Sequence, residues 1–121
     1  MPTQFIKKMN KTESGFHLLM SLSMADGSLH KSEASVLINF LNKNFKDNID
    51  LIKEQAFFKA YPLEGLFEHF IEVAEQFYII SSPEDRNKLI TFAMKLVMAD
   101  SKMESDENKY INALYDAWGL E

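Results

Sequence analysis

The carboxylates of two similar decapeptides, MADGSLHKSE at residues 24–33 and MADSKMESDE at residues 98–107, are the side chains in this chain best suited to chemistry. In each, an Asp precedes a Glu by seven positions: Asp26 with Glu33, and Asp100 with Glu107, the second pair accompanied by Glu104 and Asp106. Clustered carboxylates of this kind ligate divalent cations, with calcium, magnesium, manganese and zinc as the candidates. The spacing is not that of an EF-hand, which sets its bidentate Glu about eleven positions after the first Asp. Those positions hold Leu37 and Ile111. A structural use of the same residues fits as well. Asp26 and Asp100 can turn the chain after a helix, helped by Gly27 in the first copy, while Glu33 and Glu107 sit three residues past His30 and Glu104 as the acidic halves of capping boxes.

Two features keep the cation in view. A carboxylate just after a helix C-terminus meets the partial negative charge of unpaired carbonyls, so something positive must compensate Asp26 and Asp100. Lys31 and Lys102 are candidates, and so is a hard cation. The copies also differ in charge: residues 98–107 hold four acids against Lys102, whereas residues 24–33 hold Asp26 and Glu33 against Lys31. The second loop is the better cation site. His30 and Glu104 are poor helix caps, which weakens the purely structural account.

The elements that must position these loops are helices throughout. Asn10 with Glu13 caps a first helix that runs to Ala25. A second, from about Lys31 to Lys43, places Val36, Leu37, Phe40 and Leu41 on one stripe. Asp47 with Asp50 opens a third that ends near Tyr61, and Pro62 suits the first turn of a fourth carrying Leu63, Leu66, Phe67, Phe70, Ile71, Ala74 and Phe77. Ser82-Pro83-Glu84-Asp85 starts a fifth that reaches Ala99. The sixth sets Tyr110, Ile111, Leu114, Tyr115 and Trp118 on one stripe before Gly119. Sliding the chain by the 74 positions between Asp26 and Asp100 pairs Met20 with Met94, Leu22 with Leu96, Ala25 with Ala99 and Leu37 with Ile111. The expected fold is therefore all-α, a compact single-domain bundle of six to seven helices over residues 1–121, with two pseudo-symmetric helix-loop-helix units at about 16–44 and 90–118. Helices one and five are apolar nearly all round in their second halves, which places them as a central pair.

Composition excludes several function classes. The absence of cysteine removes disulfides, thiolate metal sites and cysteine nucleophiles. A net charge of −5 argues against a nucleic-acid binder, and the one basic cluster, Lys7, Lys8 and Lys11, is too small for that role. No apolar run approaches the roughly 18 residues of a membrane span, and the N-terminal MPTQFIKKMNKTES lacks the core of a secretion signal, so a cytoplasmic protein without membrane insertion is expected. Gly15, Gly27, Gly65 and Gly119 are scattered and make no phosphate-binding loop. His69 and Glu72 share a helix face as di-iron ligands do, but the further Glu and Glu-x-x-His ligands of that site are missing, and packing at the bundle surface is the simpler role for His69. Met20 with Met24, and Met94 with Met98, are core fillers before they are ligands for copper(I). Nothing suggests a catalytic triad.

An Ala-Asp-Gly phrase, an apolar residue three after the Asp and a Glu seven after it, repeated in an all-helical chain, resembles the TerB-like tellurite-resistance family. The matching positions are Ala25, Asp26, Gly27, Leu29 and Glu33, then Ala99, Asp100, Met103 and Glu107, with Ser101 in place of the second Gly. Related domains occur at the N-terminus of a membrane-anchored DnaJ-type co-chaperone. The resemblance implies a helical bundle in a bacterial cytoplasm and a part in tellurite or chemical-stress resistance. It also implies protein partners that include membrane-associated ones, divalent-cation binding by the acidic loop residues, and no catalytic reaction. A metal-free protein-binding adaptor and a small metal-dependent enzyme are the alternatives.

Overall fold

The computed structural model describes residues 8–24, 31–45, 49–97 and 105–119, and within them leaves aside the side chains of residues 31–34, 51, 63, 96–97 and 105–108. These residues form six α-helices: α1 (Lys11–Met24), α2 (Lys31–Asn44), α3 (Leu51–Ala60), α4 (Leu66–Ile80), α5 (Pro83–Val97) and α6 (Ser105–Trp118). Among the described residues there are no strands, and no helix is long and apolar enough to cross a membrane.

Local chemistry starts and stops the helices where the sequence signals lie. At α1 the Glu13 amide donates to Asn10 Oδ1 (2.8 Å) and the Asn10 amide donates to Glu13 Oε1 (2.9 Å), a reciprocal capping box. At α5 the Asp85 amide donates to Ser82 Oγ (3.1 Å) and the Ser82 amide to Asp85 Oδ2 (3.2 Å). Asp50 caps α3, accepting from the Lys53 amide; Asp47 lies outside the described residues. α6 ends at Gly119, whose φ of 65° suits a residue without a Cβ. One start differs. Pro62 opens a short 3-10 turn, Leu63–Gly65, closed by the Gly65 amide on the Pro62 carbonyl, and α4 begins only at Leu66. Gly65 supplies no capping side chain there, so the helix starts from the turn instead of from a polar cap.

α1 is the centre of the bundle, buried continuously from Ser14 to Ser23. Its partner is α4, which buries Leu66, Phe70, Val73, Ala74 and Phe77 and packs against both α1 and α6. This corrects the expected pairing of helices one and five. Among its described side chains α5 buries Leu89, Ile90 and Ala93, while Lys88, Thr91 and Lys95 recur at helical spacing and hold the opposite face in water. The two repeat units are consequently unequal. Tyr110 of α6 is buried edge-on against Phe67 and Phe70 of α4, whereas its counterpart Val36 of α2 is 47% exposed. Gly15 lets α2 approach α1 closely: a Cβ there would stand 2.9 Å from Leu41 Cδ2. The Trp118 indole N–H donates to the Ala74 carbonyl (2.8 Å) and pins the end of α6 to α4.

Candidate functional site

The helix bounds frame the acidic loops without reaching into them. Asp26, Asp100 and Glu104 lie outside the described residues. Glu33 is the third residue of α2, and Asp106 and Glu107 are the second and third of α6, but their side chains are likewise outside the described set. The helices do begin one residue after His30 and Glu104, the expected cap positions. Among the described residues no group of three or more His, Asp or Glu side chains is arranged to hold a metal ion.

The described core contains a different constellation. His17 in the middle of α1, Glu54 in the first turn of α3 and His69 in α4 are 0%, 3% and 2% exposed. Their side chains form one chain. His17 Nε2 lies 2.5 Å from Glu54 Oε1, and His17 Nδ1 lies 2.8 Å from His69 Nε2. Aromatic rings enclose it: Phe57 and Phe58 stand 5.0 and 4.7 Å from the His17 ring, and Phe57 and Tyr61 each 5.1 Å from His69. Polar side chains this deep must pair with one another, since water cannot serve them. Beyond His69 the pairing stops. His69 Nδ1 and Glu72 Oε1, one turn apart on α4, are both buried without a hydrogen-bond partner among the described residues.

Burial, and next the neighbouring His17, push the His69 imidazole down to about 4, so it is neutral at ordinary pH. The Tyr61 hydroxyl is pushed up, first by burial and then by the carboxylates of Glu72 and Glu68. A carboxylate that orients one imidazole, which in turn meets a second, has the parts of an acid–base relay. Here the relay is enclosed in the core of the bundle.

Sequence reasoning placed His69 at the surface; it is buried, because the stripe-edge position faces α1 and α3 rather than solvent. His17 and Glu54 were missed as a site. The available signal was a histidine inside the apolar run FHLLM, which needs a buried partner. Met20 is core, as expected. A shallow open groove of about 500 Å³ lies between α2 and α5, floored by Phe40 stacked on Phe92 (4.1 Å, 14°) and rimmed by Lys88 and Lys95.

No curated protein and no solved structure matches the chain. A family model described as tellurite resistance protein TerB matches residues 12–121, a span that takes in both acidic loops and all but the first residue of the six helices, and the chain therefore belongs to the TerB family.

Proposed function

We propose that the chain is a non-enzymatic stress-response module, serving resistance to tellurite or other chemical insult by binding partner proteins, with a divalent cation held in its acidic loops. The observation that carries this reading is the repeated placement of the loops. In sequence Asp26 and Asp100 follow the last described residues of α1 and α5, and Glu33 and Glu107 are each the third residue of the next helix. An acid after a helix C-terminus needs positive charge beside it, and helix-end carbonyls with carboxylates are the oxygen ligands a hard cation prefers. The loop at 98–107, with four acids against one lysine, is the stronger of the two. Enclosure of the His17 relay supports the non-enzymatic part, because side chains this buried meet no substrate. A cytoplasmic setting, partners that include membrane-associated proteins, and no nucleic-acid binding belong to the same reading; the net charge of −5 supports the last.

A metal-free adaptor is the second reading. The third helical position of Glu33 and Glu107 favours it, since that is the acidic position of a capping box. Titration calorimetry with calcium, magnesium, manganese and zinc separates the two. Binding tighter than about millimolar, abolished by Asp100→Asn with Glu107→Gln, is expected for the cation module. No binding, or binding that the double variant keeps, leaves the adaptor.

A further inference from the structure

α2 and α5 each pack against α1 and meet one another through Phe40 and Phe92, whose stacked rings floor the open groove of about 500 Å³. Both rings are only half-buried. Val36, one turn before Phe40 on the same face of α2, is 47% exposed and extends the apolar strip along that helix. On the other wall Lys88, Thr91 and Lys95 fall on one face of α5, with Asn87 beside them. None of the lining residues is acidic, although the chain as a whole carries a net charge of −5. Lys88 and Lys95 are exposed and have no ion pair or hydrogen bond among the described residues. An apolar floor beside two uncompensated cations thus reverses, locally, the charge of the molecule.

We propose that this groove receives an acidic amphipathic helix of a partner protein, whose apolar residues cover Phe40 and Phe92 while carboxylates two turns apart pair with Lys88 and Lys95. The proposal rests on the reading of the chain as a partner-binding module and assigns the surface on which binding occurs. Complementary charge selects an acidic partner, and spacing selects a helix. The two lysines are seven positions apart on α5, a rise of about 10 Å, and acids seven positions apart on a docked helix match that rise and share one face. A trough between two helices is also the setting in which a third lays its apolar face. Contact with the two rings supplies most of the binding energy, and the exposed rim pairs set orientation and specificity.

Other occupants fit less well. Sites for small amphiphiles enclose most of the ligand surface, whereas this groove is shallow and open. Anionic bilayers are recognised by clusters of about four to eight basic residues. Here two lysines stand at the edge of a concavity, in a chain whose net charge of −5 opposes such a surface. The lining residues lie outside both acidic loops, so the groove is independent of cation binding there.

A library of helical peptides displayed on phage and selected against the full chain tests the surface. The expected result is enrichment of sequences that set Asp or Glu seven positions apart beside an apolar stripe. Such a peptide, made synthetically, shifts the amide resonances of Asn87, Thr91 and Phe92. It loses about tenfold or more in affinity for the Lys88→Glu, Lys95→Glu double variant, and exchanging its own acids for Lys restores binding to that variant. Both lysines are exposed, so the double variant keeps the fold, which circular dichroism verifies. Absence of enrichment overturns the proposal, as do peptides that bind the double variant equally well. Peptides whose shifts map to another face overturn the groove while leaving the partner-binding reading intact. Self-association of the chain that the double variant abolishes would give the groove to a second copy, and loss in that variant of binding to phosphatidylglycerol vesicles would give it to a lipid surface; either result overturns the partner helix.

Discussion

Lys11 Nζ lies 3.0 Å from Asp85 Oδ2, and the two residues are 74 positions apart, the offset that superimposes the first acidic loop on the second. Residues at the repeat offset, each just ahead of its repeat unit, thus bond to each other. The N-termini of α1 and α5 meet at this pair. The same Asp85 oxygen accepts from the Ser82 amide, so one carboxylate both caps α5 and ties it to α1.

Asp85→Ala removes a cap and an ion pair together and is expected to cost about 1–2 kcal/mol, whereas Lys11→Met removes only a partly exposed ion pair and costs under about 1 kcal/mol. Urea denaturation of both variants checks the ranking. Burial pushes the Asp85 carboxyl up, but the hydrogen bonds from Lys11 and Ser82 and the Lys11 charge outweigh it and hold it below the usual range. Its contribution is present above about pH 4 and is lost as pH falls further.

His17→Leu strands the Glu54 carboxylate in the core and is expected to cost about 3–5 kcal/mol. Adding Glu54→Leu removes the stranded charge, and the double variant recovers much of the loss. A double-mutant cycle by chemical denaturation measures the coupling; strictly additive costs would show that the two side chains do not act as a pair.

Stability is expected to rise with pH between about 4 and 6.5. His69 binds a proton less readily in the folded chain, at about 4, than at its ordinary 6.5 when unfolded, so the unfolded chain holds more protons within that window. The contribution of neutral His69 is full above about pH 6.5 and lost as pH falls toward 4. Its size is at most about 3 kcal/mol. Unfolding free energies measured at half-unit steps give the slope, and a flat profile contradicts the burial of His69.

Gly15→Val is expected to destabilise the fold by about 1–3 kcal/mol, because its side chain must displace fully buried Leu41. Pairing it with Leu41→Ala opens space and recovers part of the loss. Thermal melts of the single and double variants test the close approach of α1 and α2.

Asp100→Asn is expected to weaken cation binding more than Asp26→Asn, since the second loop carries the larger excess of carboxylates. Calorimetry with one cation across both variants decides it. Equal losses would make the two loops equivalent sites.

Much of the architecture was legible in the residues themselves because caps and periodicity are local. Asn10 with Glu13, Ser82 with Asp85, Asp50 and Gly119 each act within a few residues of their own position, and each sits where the sequence placed it. The Ala-Asp-Gly phrase and its Ala-Asp-Ser copy pointed to the same family that the match over residues 12–121 shows. The acidic loops were equally legible as a repeat, although a repeat alone does not distinguish a cap from a ligand.

What the sequence determined by itself was therefore helix type, the capped helix starts, the duplication and the family, all consequences of backbone preferences and one-dimensional spacing. Tertiary structure decided which helix lies at the centre and which polar groups meet. The apolar content of α5 resembles that of α1, but only packing shows that α4 covers α1 and that Lys88, Thr91 and Lys95 turn the other face of α5 to water. His17, Glu54 and His69 lie far apart in sequence, on three different helices, with no shared spacing. Their meeting depends on three helices crossing at one depth, where burial favours pairing of His17 with both Glu54 and His69.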